Sequence, residues 1–357
     1  MPSTSTRFVL SAETSRRLFV VDFTGLGSAC LAIPVLRGLE MANPAIRYTY
    51  PQNAVLGDDH LRAASGLQGL VELTPSHWRR FDRSDWPLMA QLIERHQIDA
   101  VINFRNPDPG VDRRYLDFRE WLRNSRPDLR WHDLYDVPDV GRLHVHDRMT
   151  AVLRSAGLPV APAPDQWLAG SEPSRNEIGL FSSASASAKR WPVDRWMELA
   201  RELAPDGASF AVLGGAGGDE AIDALRLAER LGTVVPPNRV VLAPAGGIRT
   251  LAARLSSMSV LVSNDTGVGH LAAACGTPVV SVFLSTIASV WAPRPRAGIA
   301  VQSLIGARCP NQRPAQGNCV RHYDDCIAPC HLDLTAQQVA TAVRTVLSTS
   351  RGEHVVP

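Results

Sequence analysis

Short apolar runs and amphipathic helical stretches alternate along this chain, and the alternation breaks once and then restarts. "RLFVVDF" (17–23), "IRYTY" (46–50) and "DAVINF" (99–104) have the β-branched and aromatic content of strands. "ACLAIPVLRGLEMAN" (29–43) and "PLMAQLIERHQ" (87–97) read as helices between them. "GLPVAPAPDQWL" (157–168), rich in proline and small residues, reads as a linker. Beyond it, strands are expected at "EIGLFSS", "SFAVLGG", "RVVLAPA", "VLVSND" and "PVVSVFL". Helices are expected at "VDRWMELARELA", "DEAIDALRLAERL", "IRTLAARLSSM", "VGHLAAACG" and "TAQQVATAVRTVLSTS". Strands that alternate with helices pair in parallel, because a parallel neighbour needs a crossover. The expected architecture is α/β, with two Rossmann-like, doubly wound halves at 17–160 and 161–334 and a cleft between them. A ragged start over 1–16 precedes them and a last helix over 335–350 follows. A cleft between two such halves is a usual place for ligands. At 357 residues, 45% of them hydrophobic, the chain can bury a core in each half.

Charge excludes several function classes. The 37 Lys plus Arg are set against 35 Asp plus Glu, and residues 1–150 hold 19 Arg against 19 acidic residues. No block is strongly one-signed, so neither nucleic acid nor an anionic membrane surface is indicated as a partner. No apolar run reaches the roughly 18 residues that span a bilayer. The N-terminus lacks the apolar core and cleavage pattern of a signal peptide. A cytoplasmic protein is expected, in which six cysteines are thiols or metal ligands sooner than disulfides.

Of the 37 cations only Lys189, in "SASASAKRWP", is a lysine. Lysine offers a compact point charge where arginine offers a planar fork; from composition alone, chance on a surface serves as well. Two turns are candidates for chemistry. "GLGSAC" (25–30) imitates the start of a dinucleotide fingerprint, but its third glycine position is Cys30. Gly25 and Gly27 serve a tight turn either way. In "SNDTGVGHLAAACGTPVVSVF" (263–283) a strand ends at Asn264–Asp265 and a low-bulk turn opens a helix near Gly269–His270. Free N–H groups and the positive dipole end there suit a diphosphate. The alternative is that Asp265 or Thr266 is only a helix cap and His270 a core histidine. Cys309, Cys319, Cys326 and Cys330 lie within 22 residues as C-x9-C-x6-C-x3-C. That segment, 309–330, suits a tetrahedral zinc or iron, with His322 or His331 able to replace one ligand; free thiols and disulfides remain alternatives. Cys30 and Cys275 read as core.

The 263–283 segment resembles the signature of glycosyltransferase family 9, the ADP-heptose heptosyltransferases of the GT-B fold. Asp265, Thr266, Gly267, His270, Leu271, Ala274 and Pro278 fall on its pattern. "AKRWP", "VLGGAGGDE" and "SVWAP" resemble further family motifs in the same order. The resemblance implies inverting transfer of a sugar, most simply a heptose from ADP-heptose, to an acceptor hydroxyl or amine, without a cofactor or divalent metal. It implies an N-terminal acceptor half and a C-terminal donor half, with the last helix packed back toward the N-terminal one. Lys189 would meet the donor diphosphate, helped by Thr266, Gly267, Val268, Gly269 and His270, with Asp265 on the sugar hydroxyls. Ser183, Ser185 and Gly215 would line the donor, Asp219 or Glu220 the ribose, and the backbone at 245–247 the base. Gly27, Arg105, Arg113 and Arg114 are the acceptor candidates. The cysteine segment is similar to that of family members with a cysteine-bound metal.

The chain departs from the family at the N-terminal turn. The family's Gly-Asp, whose aspartate serves as base, is here Gly27-Ser28, and a hydroxyl cannot do that work unaided. Asp22, six residues earlier, is the replacement carboxylate unless it only caps its strand. The other expectations are an amine acceptor, a sugar-nucleotide binder without turnover, or a tailoring enzyme acting on a small molecule or a protein instead of a lipopolysaccharide.

Overall fold

The structure is a computed structural model. It describes residues 16–350 except 24, 106–111, 169, 171–175, 215–217, 244–245, 295–297, 314–316 and 320–328. The N-terminal elements are β1 (Arg17–Val21), α1 (Leu26–Ala42), β2 (Arg47–Pro51), α2 (Asp59–Ser65), β3 (Leu70–Thr74), α3 (Trp86–Arg95), β4 (Ala100–Asn103), α4 (Arg113–Ser125), β5 (Arg130–Asp133) and α5 (Val145–Ser155). Their five strands pair in parallel in the order β3-β2-β1-β4-β5. The C-terminal elements begin with β6 (Glu177–Phe181), α6 (Val193–Leu203), β7 (Ser209–Leu213), α7 (Gly218–Leu231), β8 (Val240–Ala243), α8 (Ile248–Ser256), β9 (Val260–Asn264) and α9 (Gly267–Ala274). They continue with β10 (Val279–Phe283), α10 (Ala288–Trp291), β11 (Gly298–Gln302), α11 (Leu304–Ala307), the two-residue strands β12 (Gln312–Arg313) and β13 (Asn318–Cys319), and α12 (Ala336–Ser350). Here six strands pair in parallel as β11-β10-β9-β6-β7-β8.

Both orders run outward in two directions from a pair of central strands, as in a Rossmann fold. In each sheet the chain reverses direction between those strands, β1/β4 and β6/β9. Crossovers leave this point on opposite faces, so a crevice opens beyond the carboxyl ends of the strands. Strands buried on both faces need unbroken apolar runs: Val260, Leu261 and Val262 in β9 and Val279, Val280 and Val282 in β10 are all buried. Three edge or near-edge strands are not expected from sequence: β3, β5 ("RWHD") and β11, whose exposed or half-buried polar residues hide the strand period.

The last helix departs from expectation. α12 lies on the C-terminal sheet, against α6, β9, β10 and β11, instead of on the N-terminal half. Val339, Ala340, Val343 and Val346 form one buried stripe that enters the same core as Trp196, Leu199 and Leu203 of α6. The contact between the halves is made instead by α1 against α9. The proline-rich stretch after α5 runs along that seam: Ala161 N–H donates to Gly38 O at 2.9 Å, and the N–H groups of Trp167 and Leu168 donate to Ala274 O at 3.1 and 2.9 Å.

Candidate active site

The reversal between β6 and β9 brings two loops together. Asn264, the last residue of β9, ties them: its Oδ1 accepts from Trp191 N–H at 3.1 Å and its Nδ2 donates to Ser182 O at 2.5 Å. The loop after β6 is thereby fixed, and a single 3-10 turn over Ser187–Lys189 presents the lysine. Trp191 beneath it is buried, donates Nε1–H to Leu334 O at 3.1 Å, and meets the Trp196 ring edge-on at 5.3 Å. Lys189 Nζ lies 2.8 Å from Asp265 Oδ2, the side chains being 16% and 6% exposed. Thr286 Oγ–H donates to the same oxygen at 2.8 Å. Burial alone would raise the Asp265 carboxyl; the lysine charge, its hydrogen bond and that of Thr286 outweigh burial and hold it below the ordinary carboxylate range. A point charge can sit on one oxygen in so narrow a space, where a guanidinium fork asks for two acceptors.

α9 starts directly beyond this pair. Thr266 is its N-cap residue in extended conformation, yet its side chain makes no cap bond. Thr266 Oγ1 and His270 Nδ1 are buried and find no partner among the described residues. Gly267 and Val268 N–H have no acceptor within the helix, because no carbonyl precedes them at the right spacing. Burial lowers the His270 imidazole to about 4, although Asp265 pulls the other way, so the ring is neutral at pH 7. The result is one cation, two orphan amides, a hydroxyl and a dipole end in one buried place, which is the donor set of an anion site.

The N-terminal half meets this site with its own glycine turn. A Cβ on Gly27 would stand 2.9 Å from His270 Cδ2, and one on Gly267 would stand 2.7 Å from Leu26 Cβ and 2.8 Å from Gly27 N. The starts of α1 and α9 therefore touch backbone to backbone. Polar contacts flank the seam. His144, the N-cap of α5, accepts from His146 N–H at Nδ1, 3.2 Å, so its Nε2–H donates to Ala292 O of the other half at 2.8 Å. Arg294 pairs with Asp147 at 2.6 Å and donates to His146 Nδ1 at 3.0 Å. Arg249 of α8 pairs with Asp58, the N-cap of α2, at 3.0 Å.

The expected residues sort as follows. Lys189, Asp265, Thr266, Gly267, Val268, Gly269, His270 and Gly27 come together. Ser28 is half-buried in the first turn of α1. Asp22 stands at the end of β1 but has no exposed surface; Tyr50 O–H donates to its Oδ2, and Phe23 N–H donates to its Oδ1 at 2.7 Å. Burial raises this carboxyl to about 7 against the lowering effect of those bonds and of Arg105. With both oxygens taken, Asp22 braces the turn and offers no free oxygen to an acceptor. Ser183 is likewise committed, donating to Asp223 Oδ2 at 2.8 Å, while Ser185 is exposed. Asp219 and Glu220 lie in the first turn of α7. Asp223, one turn further, is the acidic residue that reaches the lysine loop, through Ser183 and through Arg190 at 3.2 Å. The i, i+4 spacing from Asp219 is the signal that would have found it; nothing in the sequence marks Thr286 or His144. Gly215 and residue 245 lie outside the described residues.

Arg105 is tied to Asp112 at 2.9 Å and Arg79 O at 2.7 Å, with its guanidinium 5.7 Å from the ring centroid of the exposed Phe23. Arg114 pairs with Asp82 at 2.6 Å on the surface, and Arg113 is exposed. Cys326 lies outside the described residues. Cys319 and Cys330 are buried and Cys309 is half-buried, and no three metal-ligating side chains gather among the described residues.

The profile of glycosyltransferase family 9 (heptosyltransferase) matches residues 151–314, the stretch that carries Lys189 and Asp265. Lipopolysaccharide heptosyltransferase 1 of Pseudomonas aeruginosa is 32% identical over 295 residues, covering 75% of this chain and 78% of that relative. This chain belongs to glycosyltransferase family 9. Solved structures show the same GT-B fold. A family 9 glycosyltransferase of Veillonella parvula superposes with a TM-score of 0.67 at 18% identity, over 94% of this chain and 98% of that one. The E. coli heptosyltransferase WaaC with ADP gives 0.62 at 16%, over 92% and 99%; WaaC is also solved with ADP-2-deoxy-2-fluoro heptose. The chain is a glycosyltransferase by membership, and Lys189, Asp265 and the start of α9 fall within the segment that the family profile matches. No helix among the described residues is long and apolar enough to cross a membrane.

Proposed function

We propose that this family 9 enzyme transfers a heptose from ADP-heptose, with inversion, to a hydroxyl or amine of an acceptor held by its N-terminal half. The observation that carries the reading is the Lys189–Asp265 pair set beside the orphan amides of Gly267 and Val268 and the Thr266 hydroxyl, which has no partner among the described residues. These groups suit a diphosphate, and they suit it more as it departs with its negative charge, which is what favours the transition state over the bound donor. Bound diphosphate would draw Lys189 from Asp265 and free that carboxylate for the sugar hydroxyls. Asp223, with Asp219 and Glu220 on the same helix, stands where ribose hydroxyls would be met. The acceptor half offers the exposed Phe23, Arg105 above it, and the half-buried Ser28. That the P. aeruginosa relative acts on lipopolysaccharide and that WaaC is solved with ADP supports the choice of donor; the even charge of residues 1–150 leaves small-molecule, glycan and protein acceptors all admissible.

The test is a calorimetric titration of the purified protein with ADP, GDP, UDP and NAD, repeated on Lys189→Ala. ADP is expected to bind best, and the variant to lose about tenfold or more in affinity, one charge-assisted contact being worth roughly 1.5–3 kcal/mol. Preference for another nucleoside diphosphate would discard ADP-heptose. Binding of NAD alone, indifferent to Lys189, would discard the donor site.

A further inference from the structure

The geometry points to His270 as the base that takes the acceptor's proton. The inference rests on the glycosyl-transfer reading above. In that reaction the acceptor oxygen or nitrogen bonds to the anomeric carbon as the bond from that carbon to phosphate oxygen breaks. The electron pair leaves with the nucleoside diphosphate. The proton must pass to a group within hydrogen-bond reach of the acceptor.

The carboxylates at the meeting point of the two halves are occupied. Asp22 is sealed between Tyr50 and the Phe23 amide. Asp265 is paired with Lys189 and hydrogen-bonded by Thr286, and once the donor draws the lysine away its carboxylate is taken by the sugar hydroxyls of the donor. Ser28 is a hydroxyl. At the meeting of the two glycine turns the titratable side chain is His270: it rides on the first turn of α9 and lays its ring edge on Gly27, with Cδ2 at 2.9 Å and Nε2 at 3.5 Å from where a Cβ would stand. Ser28 follows Gly27 directly, so Nε2 faces the turn at which an acceptor on this half would be presented. The groups facing the ring are Asp265 and Lys189 from its own half and His144 from the other. Two of these are cationic or neutral imidazole and join with burial to keep the ring unprotonated. A base whose conjugate acid lies near 4 is no stronger than an ordinary aspartate. It does not strip the acceptor in advance; it receives the proton at Nε2 as the new bond forms, and the imidazolium returns it to water after the products leave.

The experiment measures ADP release from ADP-heptose with water as acceptor, by the full chain, between pH 4 and 9, with ADP affinity measured in parallel. The variants are His270→Asn, the bulkier His270→Gln, and His270→Asn combined with Ser28→Asp. Both single variants are expected to lose about 100-fold or more in turnover, with ADP affinity within about threefold (under ~0.7 kcal/mol) of wild type. The fall in wild-type rate as the pH drops toward 4 should vanish with the ring. A carboxylate placed one residue beyond Gly27 should restore at least part of the rate. Turnover within threefold of wild type in His270→Asn or His270→Gln would overturn the assignment, as would a fall in turnover matched by an equal fall in ADP affinity. A wild-type protein that binds no ADP would overturn the donor reading and this inference together.

Discussion

Replacing Gly267 by alanine should separate donor binding from transfer. The added methyl would stand 2.7 Å from Leu26 Cβ and 2.8 Å from Gly27 N, where ordinary contact begins at 3.4 Å. The second neighbour is backbone inside α1, so no rotamer change relieves it, and the two helix starts must part by about 0.7 Å, where a misplacement near 1 Å is worth about 100-fold in rate. Turnover should therefore fall by roughly 30- to 100-fold. Stability should change less: overpacking costs about 1–3 kcal/mol, partly offset by the preference of a helix for alanine over glycine, about 1 kcal/mol at most. That is a drop of a few degrees in Tm for a protein of this size, roughly 2–4 °C per kcal/mol. ADP affinity should hold within about threefold, because alanine keeps the Gly267 N–H that the proposed donor site uses. The assays are ADP release from ADP-heptose, calorimetry with ADP, and thermal unfolding. Wild-type turnover in Gly267→Ala would refute the reasoning, since it would mean that the helix starts do not meet while the reaction proceeds.

Other outcomes follow from single groups. Lys189→Arg should keep the charge yet lose about tenfold in ADP affinity, since a planar fork has less room than a compact ammonium to turn from Asp265 to a diphosphate in so closed a slot; calorimetry decides it, and wild-type affinity would mean that charge alone matters. Asp22 has a folded pKa near 7 against about 4 unfolded, so its contribution to stability is present below pH 4 and is lost as pH rises to 7. Asp22→Asn should therefore gain in Tm relative to wild type across that range and stay level above it; a difference that does not change with pH counts against the sealed carboxyl. His144 is held near 4 against an ordinary 6.5, the opposite sign: its contribution is present above pH 6.5 and is lost as pH falls toward 4. His144→Ala removes a cap and the contact to Ala292, and should destabilise by about 1–2 kcal/mol at pH 7, with a smaller loss at pH 5; an equal loss at both pH values would show that the imidazole is not kept neutral.

Much of the C-terminal half was legible because its strands are buried on both faces and declare themselves as apolar runs. Once β6 and β9 are central, topology alone brings Lys189 and Asp265 to one crevice, although 76 positions separate them. The edge was not legible. Glu72 in β3 and the run Arg130–Asp133 in β5 face partners or solvent on one side, and four or five polar-mixed residues carry no period. Roles set by a tertiary neighbour were illegible too. Asp22 looked like a free carboxylate because nothing in "VVDF" foretells that Tyr50, 28 residues on, closes over it. Asp265 showed its lysine through the motif, while Thr286 came only with the fold. The last helix misled for a related reason: its stripe of valine and alanine says that it is buried, not against which half.

The meeting of Gly27 with Gly267 has a consequence for how such chains can be recombined. Each glycine is exposed to a neighbour encoded some 240 positions away, so neither can drift unless the other half yields. Domain exchange between relatives would have to carry the two turns as a matched pair. A hybrid joining this N-terminal half to a C-terminal half with a bulkier first helical residue would keep both folds and bind nucleotide, yet its two substrates would be held just too far apart to react.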